Sequence, residues 1–174
     1  MEEYYQQAIE WIEREERVCR QGRIDRLIWL ASKMPRSSHF VFSGGCLAKY
    51  LFEEARHCFI FAQFLAVVVL GFAFIERTLA AMFYGVGRSD LERASASTLL
   101  REAVTVGWLS MEEHEWLDRA RQLRNPVTHF RKPLHEDIID FRSVTDNVQP
   151  YSLLEEDARH VLLAVMRLLG KVAV

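Results

Sequence analysis

Arg124 and His129 stand five residues apart in the run Arg124-Asn125-Pro126-Val127-Thr128-His129, where two complementary chemical abilities fall close together. A guanidinium presents a planar fork of donors that fits phosphate oxygens and stays charged at any working pH. An imidazole exchanges a proton near neutrality and so serves as a general base or acid. Five basic side chains, Arg119, Arg121, Arg124, Arg131 and Lys132, lie between residues 119 and 132 with no acidic one among them. Glu112, Glu113, Glu115 and Asp118 precede them, and Glu136, Asp137 and Asp140 follow. The whole chain carries a net charge of -2 with a pI near 6.3, so binding to a polyanion has to be local, through Arg121, Arg131 and Lys132 beside Arg124. The same charges fit a solvated helix face whose arginines pair with neighbouring carboxylates, and charge alone leaves both readings open.

These residues need an element to hold them. Ser110-Met111-Glu112-Glu113 is a capping box, so a helix starts near residue 111 and runs toward Arg124. Pro126 cannot donate to the Gln122 carbonyl and disfavours helical geometry at Asn125, which predicts an end or a kink there. On an unbroken helix, residues five apart point roughly 140° away from each other, whereas a bend lets Arg124 and His129 face one cleft.

Helical spacing of apolar residues predicts further helices over 3 to about 20, ended near Gly22, and over 24–34. Pro35, the two serines after Arg36, Gly44 and Gly45 mark 35–45 as a linker. The helical pattern resumes at Cys46, pauses within an apolar run over 58–75, and reaches Tyr84 before Gly85 and Gly87. Another helix spans 97–106, closed by Gly107, then 131–150 reads as a polar connection with Pro133 and Pro150, and 152–172 as a final helix. No segment alternates with period two, so the expected class is all-α: an N-terminal helical extension over 1–40 and a helical bundle over 46–174.

The 58–75 run reaches the lower length limit for a membrane span, but Gln63 and Gly71 dilute it and Arg56, Glu76 and Arg77 crowd its ends. It reads better as a buried helix, with 59–74 divided between the core and the interface of a homodimer. Three separated cysteines, Cys19, Cys46 and Cys58, offer no disulfide framework or metal knuckle, and residues 1–17 hold six acidic side chains rather than a secretory signal, which favours the cytoplasm. Glu54 and His57, with Asp157 and His160, approach a di-iron spacing but lack the remaining carboxylates, so no metal is expected. Glu76-Arg77 reads as an exposed intrahelical pair in preference to a partner for Arg124, and Trp108 and Trp116 as core or interface in preference to stacking platforms.

The run from Arg124 to His129 resembles the Arg-x-x-x-x-His motif of HEPN ribonucleases, including the polar residue after the arginine, here Asn125. The helical lead-in over 109–123 resembles theirs, and Phe74-Ile75-Glu76-Arg77-Thr78-Leu79 resembles an apolar-Glu segment frequent in related bacterial domains; the likeness covers about 46–174. It implies a HEPN-type bundle and metal-independent RNA cleavage at a site shared across a homodimer. Arg124, Asn125 and His129 would be catalytic, no cofactor would be required, and an antitoxin protein would be a partner in a toxin setting. Some members of that family keep the fold as a binding or assembly module. A tyrosine two residues after the histidine, the modified residue of one toxin subgroup, is here Arg131.

Overall fold

The most apolar stretch of the chain occupies the centre of the bundle in this computed structural model, which describes residues 1–36 and 39–171. The chain is all-α: among the described residues there are seven α-helices, a short 3-10 turn at Ser89–Leu91 and no β-strand. They are α1 (Glu2–Lys33), α2 (Gly45–Ile60), α3 (Phe64–Gly85), α4 (Ala96–Thr105), α5 (Met111–Thr128), α6 (Ile139–Asp146) and α7 (Pro150–Lys171). Helix α3 is long and apolar enough to cross a membrane by length and composition. Here it packs against α2, α4, α5 and α7, and Val67, Val68, Phe72, Phe74, Ile75, Leu79 and Phe83 are buried.

Gly71 fixes how closely α3 meets α7. A Cβ at that position would lie 2.7 Å from Val161 Cγ1 and 3.5 Å from Val165 Cγ2. Gly71→Val should therefore lower stability by about 2–3 kcal/mol, the usual cost of overpacking. In a domain of this size the melting temperature should fall by roughly 5–10 °C, measured by circular dichroism.

Gly22 does not end a helix, because α1 runs unbroken through it. The missing side chain leaves room for the Arg26 guanidinium, which would lie 3.2 Å from a Cβ there and whose Nε donates to the Ile60 carbonyl at 3.1 Å. Arg26 thus satisfies one of the orphan carbonyls at the end of α2. The predicted divide between extension and bundle falls at a loop but does not divide the core, since Leu30 of α1 is buried with Ala55, Phe59, Phe64, Val67, Leu162 and Met166. The serines at 37 and 38 and the predicted helix end at 172 lie outside the described residues.

The pause expected within the apolar run over 58–75 is present and divides it between two helices, so 59–74 is not the single helix also expected. The chain breaks at Ala62, whose φ is 59°, where the Gln63 N–H donates to the Cys58 carbonyl at 2.8 Å and the Tyr151 hydroxyl donates to the Ala62 carbonyl at 3.0 Å. Within its own chain half of the apolar span of α3 is buried, and Leu65 is 49 % exposed. The supposed connection over 131–150 also contains α6, held to α7 by a bidentate pair in which Arg142 Nη1 and Nη2 lie 2.7 and 2.8 Å from the Asp157 carboxylate oxygens. Among the described residues no group of three or more His, Cys, Asp or Glu is placed to hold a metal ion.

Candidate functional site

Helix α5 delivers the arginine. Its N-terminus is the capping box read from the sequence: Ser110 Oγ accepts from the Glu113 N–H at 3.2 Å, and Glu113 Oε2 accepts from the Ser110 N–H at 2.7 Å. Burial opposes ionisation of Glu113, but the Lys171 ammonium at 2.7 Å and that backbone donor overcome it and hold its carboxyl below the usual range. Leu117, Ala120 and Leu123 are buried on the inner face, which leaves Arg124 half-buried at the edge of α3.

The helix does not end at Asn125 as expected but continues through Pro126 to Thr128. Proline's fixed φ is compatible with helix, and only the Gln122 carbonyl loses its donor. Val127 packs on the core, the Thr128 hydroxyl donates to the Arg124 carbonyl at 3.3 Å, and the His129 N–H donates to the Asn125 carbonyl at 2.9 Å. At His129 the backbone turns extended, with φ −129° and ψ 130°. That turn, one residue past the helix, brings the imidazole back over Arg124, with Nη1 and Nε2 3.5 Å apart.

Two groups hold the guanidinium from below. Its Nη2 lies 3.6 Å from Glu76 Oε2 on α3, and its Cζ lies 5.3 Å from the ring centroid of the buried Phe72. Glu76 is therefore a partner of Arg124 and not half of an intrahelical pair, while Arg77 donates to the Gly44 carbonyl at 2.9 Å. A guanidinium N–H can donate only to a ring nitrogen without hydrogen, so a hydrogen bond across this contact needs the tautomer that carries its hydrogen on Nδ1. No family model, curated protein or solved structure matches this chain. The chemistry of the site accordingly rests on its own geometry.

The other candidate residues divide. The Asn125 amide lies 3.3 Å from both the Arg121 backbone carbonyl and the Arg121 guanidinium, an arrangement that makes two hydrogen bonds when the amide nitrogen faces the carbonyl and its oxygen faces the guanidinium. Arg121 is bound to Asp118, with Nε 2.6 Å from Oδ1. The hydrogen bond to Arg121 is the main cause that holds the Asp118 carboxyl below its ordinary range, and it raises Arg121 in turn. Arg131 is half-buried, with its Nε enclosed and unpartnered, and Lys132 is exposed. The basic island is thus partly neutralised, as the solvated-face reading anticipates for Arg121, while Arg124 combines a carboxylate behind it with a histidine in front.

Phe130 was not singled out in the sequence. It is 87 % exposed directly after His129 and lines an open groove of about 840 Å³ with Pro126, Val127, Leu134 and Phe141. Its position beside the histidine was the only local signal, because nothing in the pattern separates an exposed phenylalanine from a buried one. Trp108 packs on Phe83, with centroids 4.6 Å apart.

Trp116 stacks on His160 at 4.7 Å and carries Arg167 on its ring, away from the candidate site. Burial pushes the His160 pKa below 6.5, against the opposing bond from Nε2 to the Trp116 carbonyl, and the charge of Arg119 lowers it further. Unfolding releases this histidine to an ordinary pKa, so below 6.5 the unfolded chain takes up the extra proton. The stability that neutral His160 contributes is complete above that pH and is lost as pH falls through the folded value. Melting temperature should decline from pH 7 to pH 5, and His160→Gln should flatten that decline; an identical slope in the variant would show that other groups cause it.

Proposed function

We propose that this chain is a metal-independent endoribonuclease of the HEPN type, in which Arg124 grips the scissile phosphate and His129 moves the proton. The observation that carries the reading is the Arg124–His129 contact, built against Glu76 by a helix end that turns extended at the histidine. His129 takes the proton of a ribose 2′-hydroxyl and the 2′-oxygen attacks the adjacent phosphorus. O5′ then leaves and is protonated by water or by a second copy's imidazole, so the products are a 2′,3′-cyclic phosphate and a 5′-hydroxyl. Arg124 stabilises the extra negative charge of the transition state. RNA is the substrate, and Lys132 and Arg131 extend the phosphate contacts. As in the proteins it resembles, the site belongs to a cytoplasmic homodimer, and in a toxin or defence role an antitoxin protein would restrain it.

The test is incubation of purified protein with single-stranded and looped RNA in EDTA. Cleavage should persist, leave the ends named above, and stop when the ribose at the cut is replaced by deoxyribose. No cleavage of any RNA would end the enzyme reading. One observation favours a catalytically silent RNA-binding or assembly module: Arg121 and Arg124 are already paired with carboxylates. In that case Arg124→Ala should weaken RNA affinity and flatten its salt dependence, whereas His129→Ala should change neither.

A further inference from the structure

Residues 2–18 of α1 have no counterpart in their own chain. The helix meets the body only from its second half, where Arg23 lies 4.5 Å over the Phe61 ring, Trp29 packs on Phe59 at 5.1 Å and Leu30 is buried. None of residues 2–18 is buried, and Tyr4, Tyr5, Trp11, Ile12 and Val18 are 76, 70, 61, 52 and 75 % exposed. At 100° per residue these side chains and Ala8 fall on the same stripe as Arg26, Trp29 and Leu30. The face that seats the second half of α1 on the bundle thus continues, uncovered, along about 25 Å of free helix.

Its charges say what covers it. Residues 2–16 hold six acidic side chains against one basic, and residues 17–33 hold five basic against one acidic. We infer that the stripe is covered by the same stripe of a second copy of this chain, with the two helices antiparallel about a twofold axis beside residues 11 and 12. That register sets Trp11 against Ile12 of the second copy, Ala8 against Glu15 and Tyr4 against Cys19. Glu2 and Glu3 fall level with Arg20, so opposite charges meet at both ends of the seam, while Glu10 and Glu13 lie on the far side of the helix. A parallel pair would set the acidic ends against each other and Arg20 against its own copy. Three aromatic rings from each copy, each able to bury roughly 150–250 Å², bring the contact to the order of 1,000 Å² that a specific interface requires. The contact is isologous, so every substitution in it acts twice.

The inference is independent of RNA cleavage. Sedimentation velocity of the full chain at about 10 µM should give a dimer, and Ile12→Glu should weaken association roughly a hundredfold or more while keeping helicity and cooperative melting. Orientation is read by Tyr4→Cys under mild oxidation. Positions 4 and 19 of one helix are about 22 Å apart, beyond the reach of a disulfide, so a bond from position 4 to Cys19 can form only between copies. Peptide mapping should find that bond. A wild-type monomer at 10 µM, a dimer indifferent to Ile12→Glu, or a bond joining position 4 to position 4 would each overturn the pairing, and a monomer would leave the stripe to a different partner.

Discussion

His129→Ala should lower the rate of RNA cleavage by roughly a hundredfold or more, the usual worth of a positioned acid or base and about 3 kcal/mol of transition-state stabilisation. The imidazole is exposed and its hydrogen-bond contact among the described residues is with Arg124, so its removal leaves no buried group stranded. Melting temperature and oligomeric state should therefore stay at wild-type values, which separates lost chemistry from lost folding. Arg124→Lys is the informative companion. It retains the charge beside Glu76 but loses the fork, so a phosphate gripped by two donors should be held worse in the transition state than in the ground state, lowering kcat more than it raises KM. Arg124→Ala is a blunter probe, because it also strips Glu76 of its partner. Cleavage by His129→Ala at the wild-type rate would remove the imidazole from the mechanism.

What could be read in advance was local. The capping box at Ser110 and Glu113 lies within four residues, Gly107 has the left-handed φ of 76° that closes α4, and both are found where the pattern puts them. The proximity of Arg124 and His129 was foreseen for a related reason, although the bend comes from the extended backbone at His129 and not from Pro126. What could not be read depends on residues distant in the chain. A pause within 58–75 was legible but its position was not, because the break at Ala62 has neither glycine nor proline to announce it and the hydroxyl that binds its carbonyl comes from Tyr151. Glu76 reaches Arg124 only because α3 and α5 pack side by side. Gly22 looks like a stop until Arg26 is seen to need its space. A single glycine costs a helix about 1 kcal/mol, which one well-placed capping interaction offsets.

Helix α6 is the clearest case of an element made by a distant contact, and Arg142→Met should show it. Eight residues are too few to hold a helix in water by themselves, and α6 has no side-chain cap at its N-terminus. Arg142 and Asp157 bind each other through two short hydrogen bonds with side chains only 19 and 10 % exposed, and the bond to Asp157 is the main cause that raises the Arg142 pKa. Replacing the arginine with an apolar side chain of similar length leaves the Asp157 carboxylate desolvated and unpaired, at a cost of about 3–5 kcal/mol. In a domain of this size that corresponds to a fall of roughly 6–20 °C in melting temperature. The double variant Arg142→Met, Asp157→Leu removes both charges, so it should recover most of the loss, because a buried ion pair and a well-packed apolar pair of similar volume differ little in net stability. Hydrogen exchange should report loss of protection in α6 first for the single variant. The Arg142 side chain also lines the groove beside Phe130, so loosening α6 should reshape the wall next to His129 without touching the histidine. A single variant within 1 kcal/mol of wild type would mean that water solvates Asp157 and that the pair does not hold α6.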